Sequence, residues 1–282
     1  MYSNVRLSEL LHRGFDGAHD TIKTEIMDIL FPAMRANLVA TNFVAIRIGR
    51  ESIPGSTIKI DYASKDKQLV HEIGEGQEVP VEIGEISTYS ITPKKYGLRP
   101  LITKEMVEDG MFDLMQYNLE EAGYQLAKKL DTLLLAQIEA GNSSASHTFS
   151  GGTAITPANI NTAIYNLRMD EHNASDLICS PAVEMDLMNI DTFVEADKAG
   201  VTNPSQGLLG RIFGLTVWVS TQVTANYAYV IDRKYALTFV EKRPVTVERY
   251  DDVTRDLSGV VLTARWGMRY HYANACCVIT TS

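Results

Sequence analysis

Five glutamates, Glu72, Glu75, Glu78, Glu82 and Glu85, recur at steps of three, three, four and three. On a helix that spacing would gather carboxylates on one face, as metal binding or acid–base catalysis requires. Gly74, Gly76, Pro80 and Gly84 interrupt the same run, and a helix does not hold so much glycine and proline. The run therefore reads as a solvated acidic loop or one that faces a partner. Gly74-Glu75-Gly76 starts like a dinucleotide fingerprint, but Val79 stands at the sixth position and Pro80 follows, where the motif needs glycine ahead of a helix. No GxxxxGK[ST] occurs. The histidines, His12, His19, His71, His147, His172 and His271, include no HxH or HxxxH pair for a metal. No GxSxG nominates a nucleophilic serine, and Asp251-Asp252 near Arg255 and Asp256 reads as a charged turn. Cys179, Cys276 and Cys277 form neither a CxxC nor an even disulfide framework, and read as small buried hydrophobes. The sequence points to no catalytic residue, no cofactor and no metal.

The 282 residues carry 26 basic and 35 acidic side chains, a net charge of −9, which argues against a dedicated nucleic-acid groove. If DNA matters to this chain, the protein surrounds it rather than reads it. Hydrophobic residues at 45% and charged residues at 22% place the chain among globular proteins able to bury a sizeable core. No run approaches the ~20 apolar residues of a membrane span, and residues 1–9 lack the pattern of a secretory signal, so a cytoplasmic chain is expected.

The elements around these residues are unusual in shape. Residues 1–20 read as an extended arm. Ile22, Ile26, Ile29, Leu30, Ala33 and Met34 then follow helical spacing, interrupted at Pro32. Val44, Ile46 and Ile48 predict a strand. Ile58, Ile60 and Tyr62 begin a long hairpin with a charged tip at 63–68 and renewed alternation from Leu69 to Ile73; it returns to a second strand region at Ile86–Ile91. So polar a hairpin gains little from a core of its own and is expected to lie on something else. Phe112, Met115, Leu119, Ala122, Leu126, Leu130, Leu133 and Gln137 predict one helix over 113–139, ~40 Å long, with Gly141 as its cap. Alternating helices and short strands over 153–235 describe a small α/β unit, its helices opening at Thr156-Pro157 and Ser180-Pro181. Strict alternation from Leu262 to Tyr272 predicts a long strand. These are features of assembly rather than catalysis.

In order and spacing the chain resembles the major capsid proteins of tailed double-stranded DNA viruses, bacterial or archaeal, with the Hong Kong 97-type fold. The resemblance rests on Glu75-Gly76-Gln77-Glu78-Val79-Pro80, on Thr92-Pro93-Lys94-Lys95-Tyr96-Gly97, on Ile102 to Asp109 leading into the long helix, and on Gly207 to Val217. It implies an α+β fold with an N-arm and lead-in strand at 1–49, an extended E-loop hairpin at 50–84 and an α/β A-domain at 153–236. A P-domain at 85–152 and 237–282 would hold the long spine helix and long antiparallel strands. The implied function is a structural, non-enzymatic shell protein forming pentamers and hexamers around viral DNA in a virion assembled in the host cytoplasm. Lys59, Lys65, Asp66, Lys67 and His71 are the E-loop residues expected to face a neighbouring subunit. A portal, a decoration protein, and either a separate scaffolding protein or none are the further partners implied; DNA is contacted non-specifically and no membrane is involved. Some relatives crosslink an E-loop lysine to an asparagine, and Lys65 and Lys67 are placed compatibly. An encapsulin-type compartment around a cargo enzyme is the nearest alternative, and an α/β enzyme or ligand-binding protein the next.

Overall fold

The computed structural model describes residues 26–30, 32, 38–49, 55–63, 70–81, 86–109, 114–141, 148–189 and 208–281. Its longest helix, α2 (Leu114–Ala140), has 27 residues, preceded by the short α1 (Lys104–Asp109). Met115, Leu119, Ala122, Leu126 and Leu130 are buried as their spacing predicts. Beyond Leu130 the buried apolar positions are Leu134, Leu135 and Ile138, while the expected Leu133 and Gln137 are half-buried. A period of 3.6 residues drifts against any fixed series of threes and fours, so the core face moves round the helix over this length. Gly141 follows the last turn and donates its N–H to the Gln137 carbonyl.

Against α2 lies a sheet in the order β1 (Val44–Ile48), β11 (Leu237–Asp252), β12 (Leu257–Tyr270), β4 (Lys94–Leu98), with β5 (Leu101–Thr103) also on β12. β11 and β12 are antiparallel over almost their whole length, joined by the turn at 253–256, and β1 runs parallel to β11. Asp252 Oδ1 accepts from the Thr254 amide and hydroxyl, so the charged turn is built by its own side chain. Leu262, Ala264 and Trp266 face α2, as the alternation predicts. The intervening Thr263 and Gly267 are buried too, because other parts of the chain cover that second face.

A second sheet of six strands has the order β6 (Thr148–Gly152), β13 (Cys276–Thr281), β10 (Tyr227–Ile231), β7 (Asp176–Cys179), β9 (Leu215–Val219), β8 (Leu208–Ile212). Helices α3 (Pro157–Met169) and α4 (Pro181–Met188) pack through Ile160, Leu167, Val183 and Leu187 on one face. The other face, with Ile178, Tyr229, Ile231 and Val278, shares the core of α2. Thr156 caps α3 by accepting from the Asn159 amide, with Pro157 at the first position. α4 also starts on proline, but the Ser180 hydroxyl makes no cap bond.

The expected divisions at 152/153 and 236/237 cut through this sheet: β6 and β13 were assigned with the long strands, yet both are strands of the α/β layer. The run Cys276-Cys277-Val278-Ile279 is buried at every residue, as a strand covered on two faces must be, and it carries no alternation to link it with β12. Residues 26–30 are helical, with Ile26 and Leu30 in the α2 core; Ile22, Ala33, Met34 and the arm at 1–20 lie outside the described residues. Among the described residues no helix is long and apolar enough to cross a membrane.

Candidate functional site

The groups most able to do chemistry are already engaged. Asp176 is a buried carboxylate on β7 whose Oδ1 accepts from Trp218 Nε1 (2.9 Å) and Arg233 Nη2 (2.6 Å). Its Oδ2 accepts from Ser175 Oγ (2.7 Å) and Arg233 Nε (3.1 Å). That bidentate pair uses the carboxylate as a strut, and the same guanidinium lies over the rings of Phe43 and Trp218. The three cysteines are buried and free, and burial pushes each thiol up to about 12, so none is a ready nucleophile. Among the described residues no group of three His, Cys, Asp or Glu could hold a metal ion.

Asp131 is another buried carboxylate, and the sequence reading passed over it. It stands on α2 one helical turn from Ala127 and Leu135, both buried, and an acid inside an apolar stripe was the available signal. Its Oδ2 accepts the Val39 amide (2.9 Å) and its Oδ1 the Ala40 amide (3.1 Å), at the start of the 3-10 turn Ala40–Phe43. The turn has no cap from its own side chains, so the long helix supplies one. Desolvation raises the Asp131 carboxyl to about 6, against the opposing pull of the two amides.

The hairpin is packed at its root and exposed beyond it. β2 (Ile58–Ala63) pairs antiparallel with β3 (Ile86–Ile91), from Ile58 opposite Ile91 to Ala63 opposite Ile86. The return strand is therefore β3, beyond the expected boundary at 84. No strand forms at 70–73, where renewed alternation was expected; among the described residues no strand pairs with Val70 or Ile73. Ile58, Ile60 and Tyr62 point toward the main sheet and form a small core with Tyr89, Ile91, Val240 and Ile48. The root thus packs on its own subunit, which corrects the expectation that this hairpin has no intramolecular support. Tyr89 Oη lies 2.7 Å from Thr238 Oγ1 and 2.9 Å from His271 Nδ1, and Tyr272 Oη donates to the Ala63 carbonyl (3.1 Å). Burial raises the Tyr89 hydroxyl and lowers the His271 imidazole, so both are held neutral. A Cβ on Gly267 would stand 2.6 Å from Ile91 Cγ2, which shows how closely β3 crosses β12.

Beyond the root, every residue from 70 to 81 is exposed. Val70 is 101% exposed and Val81 85%, and a type II turn with Gly76 at φ 80° returns the chain, Gln77 N bonding Gly74 O. Of the expected contact residues, Lys59 stands on the exposed face of β2 opposite Ser90, and His71 is exposed on the tip. Lys65, Asp66 and Lys67 lie outside the described residues. Glu72, Glu75 and Glu78 are exposed on non-helical chain, as their glycines and proline predict; Glu82 and Glu85 are outside the described residues. The exposed valines and the root tyrosines were missed. Tyr62, in phase with Ile58 and Ile60, was the available sign of the root.

The sequence model of a phage capsid protein family matches residues 87–275, two-thirds of the chain. No curated protein matches in sequence. Among solved structures, the fold is similar to a chain from the capsid of the cyanophage P-SCSP1u, with TM-score 0.68, 12% identity and coverage of 88% of this chain and 89% of that one. It is also similar to a chain of the bacteriophage PhiM1 mature capsid, with TM-score 0.66, 14% identity and 87% of each chain covered. A chain of a virus-like particle from Pyrococcus furiosus aligns with TM-score 0.59 and 13% identity over 91% of this chain and 98% of that one. The expected α+β fold of the Hong Kong 97 type is thus the fold of this protein.

Proposed function

Since the chain belongs to the phage capsid protein family, we propose that its copies associate as pentamers and hexamers into a closed icosahedral shell around viral double-stranded DNA. It acts as a structural protein of the virion, assembled in the host cytoplasm. The observation that carries this reading is the hairpin: a rooted extension whose twelve-residue end, 70–81, is exposed throughout and leaves valines in water. Such a segment contributes no core to its own subunit and gains apolar burial only against another surface. Lys59, Lys65, Asp66, Lys67 and His71 are proposed contact residues along it. At exposed sites each ion pair contributes only ~0.2–1 kcal/mol, so they set register, and repetition around a closed shell supplies strength. Scaffolding, portal and decoration proteins are proposed partners of the finished particle, and the DNA is contacted without sequence preference.

Negative-stain electron microscopy with light scattering on the purified protein tests the reading. Closed shells, or pentamers and hexamers convertible to shells, are expected; a uniform monomer or dimer that never assembles, even with host lysate, overturns it. A compartment enclosing protein cargo is the second reading, favoured by the fold shared with the archaeal virus-like particle. The contents of native particles, nucleic acid or protein, separate the two.

A further inference from the structure

The rings at the hairpin root continue into a larger cluster. Tyr62 on β2 and Tyr89 on β3 have centroids 5.6 Å apart, and both meet His271, in the turn between β12 and β13, at 6.1 and 6.0 Å. Tyr272 beside it touches Tyr62 (5.2 Å) and His271 (4.6 Å) on the hairpin side. On the other side it touches Tyr235 (5.4 Å), in the turn before β11, and His172 (6.2 Å), between α3 and β7, and those two rings lie 5.5 Å apart. Six rings thus join the hairpin to the α/β layer through Tyr272. Aromatic pairs at these separations attract beyond the area they bury, so the cluster is a joint between the two parts.

Its two histidines differ in what a proton would meet. His172 is buried with Nδ1 3.7 Å from Asp232 Oδ2, a carboxylate that also accepts the Asn173 and Lys234 amides. A charge on His172 therefore has a counter-ion. Around the half-buried His271, β2 presents Tyr62, β3 presents Tyr89 with Thr238 of β11 behind it, and its own turn presents Tyr272. The charged group that β12 brings is a second cation, Arg269, whose guanidinium lies 5.3 Å from the Tyr89 ring centroid and donates to the Ser90 carbonyl (3.4 Å). Among the described residues no carboxylate stands within ion-pair distance of His271. Protonation puts a hydrogen on both ring nitrogens, so Nδ1 can only donate toward Tyr89 Oη, whose own hydrogen must turn to Thr238. The hydrogen bond survives that reversal; the charge is left half-buried with no acid to offset it. We infer that His271 is an acid-operated release for the hairpin root: its protonation loosens β2 and β3 from the sheet beneath, while the His172–Asp232 pair keeps the α/β side of the ring cluster in place. Burial lowers the imidazole below its ordinary value, so the loosened root takes up a proton that the packed root refuses. The hold is full above the ordinary histidine range, ~6.5, and is lost as the pH falls below it. The inference concerns one subunit and stands whether or not copies assemble.

Hydrogen exchange of the full-length protein from pH 8 to pH 5 tests it, with rates corrected for the intrinsic pH dependence of amide exchange and light scattering confirming one assembly state throughout. Protection of the hairpin strands Ile58–Ala63 and Ile86–Ile91 is expected to fall several-fold between pH 7 and pH 5, by at most about tenfold per pH unit for a single proton. Protection of α2 and of the α/β strands Asp176–Cys179 and Tyr227–Ile231 does not fall. His271→Asn, whose side-chain amide reaches the place of Nδ1 without titrating, abolishes the fall, and His271→Gln is the second neutral variant; circular dichroism at pH 7 shows which of them folds. Wild-type hairpin strands whose protection is unchanged in acid overturn the inference without any variant. Hairpin strands that lose protection only together with α2 overturn it too, since the loss is then global unfolding. A folded His271→Asn or His271→Gln protein that still loses the hairpin in acid assigns the proton to another group and overturns it as well.

Discussion

Asp131 holds the 3-10 turn at Ala40–Phe43, and its ionisation sets a pH dependence of stability. Its carboxyl is raised from 3.8 to about 6 by burial, so between those values the native chain keeps a proton that the unfolded chain has released. The contribution to stability is full below about 4 and is lost as the pH rises through about 6, amounting to ~3 kcal/mol across the window. Asp131→Asn removes the titration, although its amide can accept only one of the two backbone N–H groups. The stability difference between wild type and Asp131→Asn, from urea midpoints at pH 4, 5, 6 and 7, is expected to move against the wild type as the pH rises. Parallel curves would show that the carboxyl does not titrate in this range. The residue was overlooked because a sequence shows an acid near apolar neighbours, whereas the amides of Val39 and Ala40 that justify its burial come from 92 and 91 residues away.

Elements whose stability is local were legible. The helix at Leu114–Ala140 follows its sequence period as far as Leu130, the strand at Asp176–Cys179 forms where it was expected although it is buried at every residue, and α3 begins where Thr156-Pro157 announces it. What the sequence hid were the pairings of β13 with β10 and with β6, whereas the hairpin of β2 with β3 forms between the two segments expected to pair. A strand's period states which face is apolar and leaves the covering partner open, so the alternation of β12 does not disclose that the hairpin root lies on it. That root is held by a few specific contacts, and Tyr89→Phe isolates one. It deletes the hydroxyl between Thr238 and His271 while keeping the ring, at a cost of ~1–2 kcal/mol. Faster proteolytic cleavage at the hairpin, with the melting of the α2 core barely shifted, is the expected result. An unchanged cleavage rate would mean that ring packing alone fixes the hairpin. The lowered His271 imidazole adds a sign: this group favours the folded root above its ordinary titration range and weakens it as acid protonates the ring.

At the scale of the whole molecule, the parts that stabilise the subunit and the exposed segment proposed to join copies are physically separate. The two sheets, α2 and the outer helices bury the apolar side chains, and the two large clusters meet across the six-stranded sheet. The hairpin tip contributes nothing to either cluster. Replacing residues 70–81 by a short Gly/Ser linker should therefore leave thermal stability and the urea m-value of the subunit unchanged, since no buried surface is lost. The same change removes the exposed valines and the segment proposed to meet a neighbouring copy, and closed shells are expected to disappear from sedimentation profiles and micrographs. A shortened protein that still closes into shells would place the decisive contacts elsewhere, on the outer helices or the turn at 253–256. A shortened protein that unfolds would show that the tip supports its own subunit after all. Family membership alone foretells neither result; the division between a packed body and an unpacked arm does, because burial stabilises a fold only where both surfaces belong to the same chain.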